Sequence, residues 1–333
     1  MTTNKKYDVF GVGNAMVDIL AHVDDEFIQA LELNRGSMTL MDSDQQAAVL
    51  QKLEKHPLSL ASGGSAANTM VAVAQSGGTG IYSGKVAHDT HGEFYRRDMQ
   101  SAGISFDVPM AQEASLPTGT CVVLTTPDAE RTMCTHLGIS TSLAQSDINL
   151  EHLAQSKIAY IEGYLWDATA PRQSCMKTFE EAKKLGVQTA FTFSDSFLID
   201  RFAKDFESLV NDYCDIIFCN AIEARQFCEA EEIEVCAQKI GSLVDLAFIT
   251  NSADGCYVCQ NGVISHVAGF PVKPIDTVGA GDAFAGGVLY GLTNGMSPAK
   301  AARWGNYFAS RVVETNGPRL DISMKEHLAS IIG

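Results

Sequence analysis

The sequence predicts an α/β fold: an open, mostly parallel, doubly wound sheet with helices on both faces, joined to a small second sheet. Three observations predict it. After Ser140, apolar runs of strand length alternate regularly with runs of helix length. Before that point, residues 120–126 and 131–136 flank a four-residue turn and read as an antiparallel hairpin, which a βα alternation does not contain. Near the end, Gly279 and Gly281 open a tight turn that runs straight into a long apolar helix.

The elements follow in order. Residues 7–14 read as a buried strand ending in a turn, and 15–23 continue extended. A short helix spans 24–33, acidic at its start, and a strand follows at 36–41. Asp42 or Ser43 caps a helix over 44–55. Ser62-Gly63-Gly64-Ser65 is a turn opening an Ala-rich helix to about residue 76, followed by a strand at 80–86 and a helix at 89–102. In the alternating half, strands fall at 158–163, 188–193, 214–219 and 246–250, with helices at 170–185, 200–210, 222–227 and 235–243. Asn261-Gly262 centres a hairpin over 256–267. Helices at 298–314 and 323–332 close the chain. Residues 1–333 are read as one α/β domain, with 15–41 and 117–138 set aside in the small sheet.

Composition narrows the function. With 40 Asp and Glu against 24 Lys and Arg, the net charge of −16 argues against nucleic acid or an anionic membrane as partner. An anionic substrate must then be held by local donors. No signal peptide opens the chain, and the nine scattered cysteines suit free thiols in a reducing cytoplasm. Cys256 and Cys259 lie three apart on a strand, so they face opposite sides and cannot share a metal.

The richest stretch is Asp276-Thr277-Val278-Gly279-Ala280-Gly281-Asp282. A glycine turn at a helix start gathers N–H groups that attract anions. Asp282 in the first turn is either a partner for the helix dipole or a general base beside an anion hole. Gly286 and Gly287 inside the helix imply a close approach, and the pattern as a whole suits phosphoryl transfer to a hydroxyl. Other candidates sit after the strands, where an open sheet binds ligands. Gly63 and Gly64 let a ligand approach the backbone, with Asn68 one turn on. Asn220 and Glu223 form either a capping box or a water-mediated Mg²⁺ site. Thr250-Asn251-Ser252, leading to Gly255, is either a plain turn or a phosphate-tail site. Arg131 is either a solvated arginine or one on a flap reaching a phosphate. Asp18 is either a turn residue or an acceptor for two adjacent hydroxyls, and Tyr164 either core or a stacking surface for a flat ring.

Ser62-Gly63-Gly64-Ser65-Ala66-Ala67-Asn68 and Asp276–Asp282 together make the sequence resemble the ribokinase-like (PfkB) carbohydrate kinases over nearly its full length. Gly13–Asp18, 117–121 and Asn220–Glu223 are most similar to the branch that phosphorylates adenosine. The resemblance implies a lid formed by the small sheet. It implies Asp282 as base and Gly279, Ala280 and Gly281 as anion-hole amides, with Arg131 reaching the phosphates. It places Asp18, Gly64 and Asn68 on the ribose, Asn14 and Tyr164 near the nucleoside, Asn220 and Glu223 near Mg²⁺ and phosphate, and Asn306 near the adenine of ATP. ATP and Mg²⁺ are the implied cofactors, and a monovalent cation is left open. The implied partners are small molecules, ATP with adenosine or a sugar, acting on a monomer or homodimer. Ribose, fructose, another nucleoside, or nucleoside binding without transfer remain open. Ser252 departs from the family, standing where its phosphate turn usually has glycine.

Overall fold

A computed structural model of the chain describes residues 5–112, 116–128 and 130–333. Its strands are β1 (Tyr7–Val12), β2 (Met16–His22), β3 (Met38–Leu40), β4 (Leu58–Gly63), β5 (Gly80–Ser83), β6 (Ile104–Phe106), β7 (Gly119–Thr125), β8 (Arg131–His136), β9 (Ser156–Glu162), β10 (Gln188–Thr192), β11 (Ile216–Asn220), β12 (Leu246–Thr250), β13 (Gly255–Gln260) and β14 (Val263–Ala268). Nine make one sheet in the order β14-β13-β12-β11-β10-β9-β1-β5-β6, and five make a second in the order β3-β8-β7-β2-β4. From β12 to β6 every neighbour pairs parallel, while β13 and β14 close one edge antiparallel.

Side-chain alternation builds two cores on the large sheet. Val9, Ile158, Tyr160 and Phe218 point to one face; Phe10, Ala159, Ile161 and Ile217 point to the other. Both faces are covered, so β1 is buried at every residue, as parallel strands require. Cys256 and Cys259 fall into these two different cores, which separates their thiols. The small sheet divides its faces differently. Ile19, Ala21, Val122 and Leu124 meet the helices Asp25–Ala30 and Ser43–Lys52 through Ile28 and Val49. Met16, Asp18, Val123 and Met133 face the cavity over the large sheet.

The order of the strands fixes where that cavity lies. From β1 the chain builds outward through β5 and β6. It then returns to β9, on the other side of β1, and builds the opposite way through β12. The C-terminal ends of β1 and β9 therefore diverge side by side, and ligands bind at such a switch point.

The helix Ala280–Thr293 packs under the crevice, and the close approach expected at its glycines comes from neighbouring helices. A Cβ on Gly286 would lie 2.5 Å from the Thr69 carbonyl oxygen and from the Ala72 Cβ, in the helix Ser65–Gln75. On Gly287 it would lie 2.9 Å from Gly305 Cα in the helix Pro298–Val312. Close helix packing explains both glycines.

Several boundaries also differ from the sequence reading. β4 lies outside both segments assigned to the small sheet: its Leu58 and Leu60 stay exposed at an edge, and Ser59, Ala61 and Ser62 carry no strand signal. β6 has only three residues. The helix expected at 200–210 starts earlier, at Ser196, where Asp195 caps it by accepting from the Phe197 N–H. The helix expected at 323–332 is an irregular turn followed by Leu328–Ile332. No helix among the described residues is long and apolar enough to cross a membrane.

Gly286→Ala should destabilise the protein by about 1–3 kcal/mol through overpacking. Gly281→Ala, where an added Cβ meets nothing within 4 Å, should leave stability nearly unchanged. Urea midpoints of the two variants check this, and equal losses would refute the packing account.

Candidate active site

Glu162 ends β9 at the switch point and is fully buried. Its carboxylate accepts from the Asn14 N–H at 2.7 Å and from the Ala66 N–H at 2.7 Å. One side chain thus fixes the loop after β1 and the start of the helix Ser65–Gln75. Burial pushes this carboxyl up to about 7, against the pull of those two N–H groups. The sequence reading did not single it out.

The Ser65–Gln75 helix begins where Gly64 takes a φ of 103°, and a Cβ there would strike the Asn14 carbonyl oxygen at 2.2 Å. That backbone is open only to glycine. Gly63 is equally confined, because the Asp18 carboxyl packs against it within 2.5 Å of where a Cβ would sit. Asp18 projects from β2 into the cavity, and burial pushes it up to about 6 despite the nearby Arg319 and Arg131.

Opposite stands the Gly279 loop. Gly279 has a φ of 77° and starts the helix Ala280–Thr293. The N–H groups of Gly281 and Asp282, in its first turn, have no preceding helical carbonyl to reach. Gly281 lines the cavity, and the space where a side chain would project is open. The Asp282 carboxylate accepts from Ser65 Oγ at 2.6 Å and from Asn68 Nδ2 at 2.9 Å. Burial lifts it to about 6, while those two bonds and Arg319 hold it down. An aimed carboxylate beside free helix amides can take a proton from a hydroxyl that attacks an anion.

Asp276, read from sequence only as part of the motif, ties the site together. Its carboxylate accepts from the Val278 N–H at 3.0 Å and the Gly317 N–H at 2.8 Å, and pairs with Arg131 at 2.5 Å. Arg131 on β8 is therefore buried and paired, not solvated. Arg131 lines the cavity, while its Nε is buried and has no hydrogen-bond partner among the described residues.

The remaining candidates divide. Asn14, Asp18, Gly64, Asn68, Arg131, Tyr164, Asn220, Glu223, Thr250, Gly279, Gly281 and Asp282 line one cavity of about 440 Å³. Asn220 and Glu223 form the capping box in full: Glu223 accepts from the Asn220 N–H at 3.0 Å and from its amide at 2.8 Å, and burial raises the carboxyl to about 7. Gly63, Ser252, Gly255, Ala280 and Asn306 do not line the cavity, and the Ala280 N–H, expected as an anion-hole amide, instead donates to the Thr277 carbonyl at 3.3 Å. Asn306 donates its amide to Val267 and Ala268, which pins β14. Gly255 is enclosed by the Val267 carbonyl and the Gly269 N–H. Ser252 takes a φ of 51°, the left-handed backbone that favours glycine at this turn. Arg319, bonded to Asn68 at 2.8 Å, escaped the sequence reading because its partner lies 251 residues away.

The raised Asp282 makes a prediction about stability. The folded state holds the Asp282 proton more tightly than the unfolded chain does. Any stability gained from that proton is present at low pH and lost as pH rises through about 6. Asp282→Asn should therefore raise Tm at pH 8 and change it little at pH 4.5. Thermal scans at the two pH values test this, and a gain confined to low pH would contradict it.

Comparison with known proteins places this geometry. Residues 39–325 match the model of the pfkB family carbohydrate kinases. A crystal structure of adenosine kinase from Sinorhizobium meliloti superposes with a TM-score of 0.90 at 34% identity, covering 98% of this chain and 99% of that one. A probable sugar kinase protein from Rhizobium etli CFN 42 gives 0.90 at 31% identity, covering 98% of both chains. Adenosine kinase 2 of Arabidopsis thaliana is 27% identical over 95% of this chain and 97% of its own. Glycine cradle, aimed aspartate and two-sheet crevice thus occur in a chain that belongs to the pfkB family of carbohydrate kinases.

Proposed function

We propose that this protein is an ATP-dependent kinase that transfers the γ-phosphoryl group to the 5′-hydroxyl of adenosine, giving AMP and ADP. The observation that carries the reading is the placement of Asp282. Its carboxylate, aimed by Ser65 and Asn68, opens on the cavity that also holds Asp18 and the Gly281 helix start. One end of that cavity is built for a sugar hydroxyl and the other for a phosphate.

Asp18 accepts from the ribose hydroxyls, and the confined Gly63-Gly64 backbone lets the sugar lie close. Tyr164 and Phe197 on one side, with Met38, Leu40 and Met133 of the small sheet on the other, offer apolar surfaces to a flat base. A free pentose has no such face, which favours a nucleoside over ribose or fructose. The adenosine kinases among the similar proteins support the same choice.

The transfer follows from these positions. Asp282 takes the 5′-hydroxyl proton as its oxygen bonds to the γ-phosphorus and the bond to the ADP oxygen breaks. The Gly281 and Asp282 N–H groups, with Arg131, neutralise charge on the transferring oxygens. The ATP tail runs toward Thr250 and Asn220. Among the described residues no cluster of three or more His, Cys, Asp or Glu could hold a metal directly. This suits Mg²⁺ that arrives on the nucleotide and keeps its waters, with Glu223 the carboxylate placed to orient one. Bound there, Mg²⁺ would neutralise phosphate charge. Closing the small sheet over the site would exclude water and suppress ATP hydrolysis.

ADP release from MgATP should depend on adenosine and exceed that with ribose, fructose or inosine, as a coupled assay across that panel measures. Preference for ribose would overturn the assignment. Asp282→Asn should still bind adenosine but lose roughly 10²–10⁴-fold in kcat. In the wild type, kcat should fall as pH drops through about 6, where Asp282 becomes protonated. The nucleoside KM should rise in the same range, where Asp18 loses its charge.

A further inference from the structure

Arg319 does not line the cavity, yet it reaches the base through a single residue. Its Nε donates to Asn68 Oδ1 at 2.8 Å, and Asn68 Nδ2 donates to Asp282 at 2.9 Å. Its Nη1 donates to Ser62 Oγ at 2.7 Å, and that hydroxyl donates to Asp98 at 2.6 Å. The guanidinium is therefore anchored at one end and applied to Asn68 at the other.

A carboxamide has two nearly isosteric ends, and packing alone distinguishes them poorly. Here chemistry distinguishes them. A guanidinium only donates, so it accepts no neighbour but oxygen, and a carboxylate accepts only from N–H or O–H. Reversing the Asn68 amide would set NH₂ against the guanidinium and C=O against the carboxylate, replacing two hydrogen bonds by two repulsive contacts. We propose that Arg319 is a positioning residue for the transfer: by holding the Asn68 oxygen it turns the Asn68 nitrogen onto Asp282 and so aims the base. This rests on the reading of Asp282 as base, and the test separates the two.

Arg319 also supplies charge in a crowded place. The titratable groups around Asp282 are Asp18 from β2, Tyr160 and Glu162 from β9, Tyr164 beyond it, and Arg319. Arg131 on β8 lines the same cavity but is paired with Asp276, so Arg319 is the cation that acts on Asp282. Its removal leaves Asp282 easier to protonate, which moves the acid limb of the kcat profile to higher pH.

The experiment is a double-mutant cycle on the full chain with adenosine and MgATP, using Arg319→Gln, Asn68→Ala and the pair. Arg319→Gln should lower kcat about 10²-fold by misaiming the base, with a much smaller change in the nucleoside KM. The double variant should lose no more than Asn68→Ala alone, because the first effect travels through the second residue. Arg319→Lys should recover part of kcat. If Arg319→Gln does not fold, Arg319→Lys enters the same cycle. Additive losses, or an unchanged kcat in Arg319→Gln, would overturn the proposal. Asp282→Asn in the same assay judges the base itself, since retained turnover there removes Asp282 from the mechanism. Carboxyl ¹³C NMR, assigned by difference with Asp282→Asn, reads Arg319 without turnover: the Asp282 midpoint should rise in Arg319→Gln, and an unmoved midpoint would refute the link.

Discussion

Everything in this structure depends on keeping several carboxylates together in one crevice without cancelling them. Asp18, Glu162, Glu223 and Asp282 all line it, and burial lifts every one of them toward neutrality. A carboxylate that is to take a proton from a hydroxyl must be charged at the working pH, yet not so stabilised that it loses its basicity. The protein meets both demands with hydrogen-bond donors and two arginines. Arg131 is already paired with Asp276, which limits how much positive charge it adds. The −16 charge of the whole chain gives no help to a polyanion. Any attraction for a phosphate would have to come from short-range donors such as the helix-start amides.

Topology is what lets so few residues do this. At the switch between β1 and β9, the buried Glu162 at the end of β9 holds both the loop after β1 and the start of the helix Ser65–Gln75 that follows β4. Asp276 does the same on the other side, joining the glycine turn, the 313–317 segment and β8 of the small sheet. The two hubs define the width of the crevice between them. Each is satisfied by backbone N–H groups, so substituting the side chain would leave those donors buried and unpaired.

How legible all this was in the sequence follows from the range of the interactions. The parallel strands, the 120–136 hairpin and the glycine turn show themselves through local pattern: apolar runs, turn residues and a helix start. Asp282, Asp18 and the Gly63-Gly64 pair carry local signals of the same kind. Glu162 and Asp276 were visible as letters but not as hubs, because their partners lie up to 148 residues away. Arg319 had no signal at all, being one more basic residue in a C-terminal loop. The glycines at 286 and 287 gave half an answer. A helix glycine announces close approach, but nothing local says whether a ligand or a helix approaches, and here it is helices. β4 was invisible because Leu58-Ser59-Leu60 is too short an alternation to stand out and the strand has no β-branched or aromatic residue.

The small sheet shows how one pleat serves two opposite needs. One set of alternate residues, Ile19, Ala21, Val122 and Leu124, builds a core of its own against two helices. The other set faces the cavity and is apolar except at Asp18, Arg131 and Thr135. The pairing register separates the first two: Asp18 shares a row with Cys121 and Thr135, and Arg131 lies four residues further along β8, opposite Thr125. Between them runs the row of Val123, Met133 and Met38. Charge thus sits at the two ends of this face, and apolar surface fills the stretch between. Met38 and Leu40 stay 38% and 49% exposed while lining this cavity. Covering them releases roughly 25 cal/mol per Å², an interaction absent until something flat and apolar enters. A flat apolar group lying on this face would therefore bind in proportion to the apolar area it covers, with the charged residues at either end left to fix its orientation.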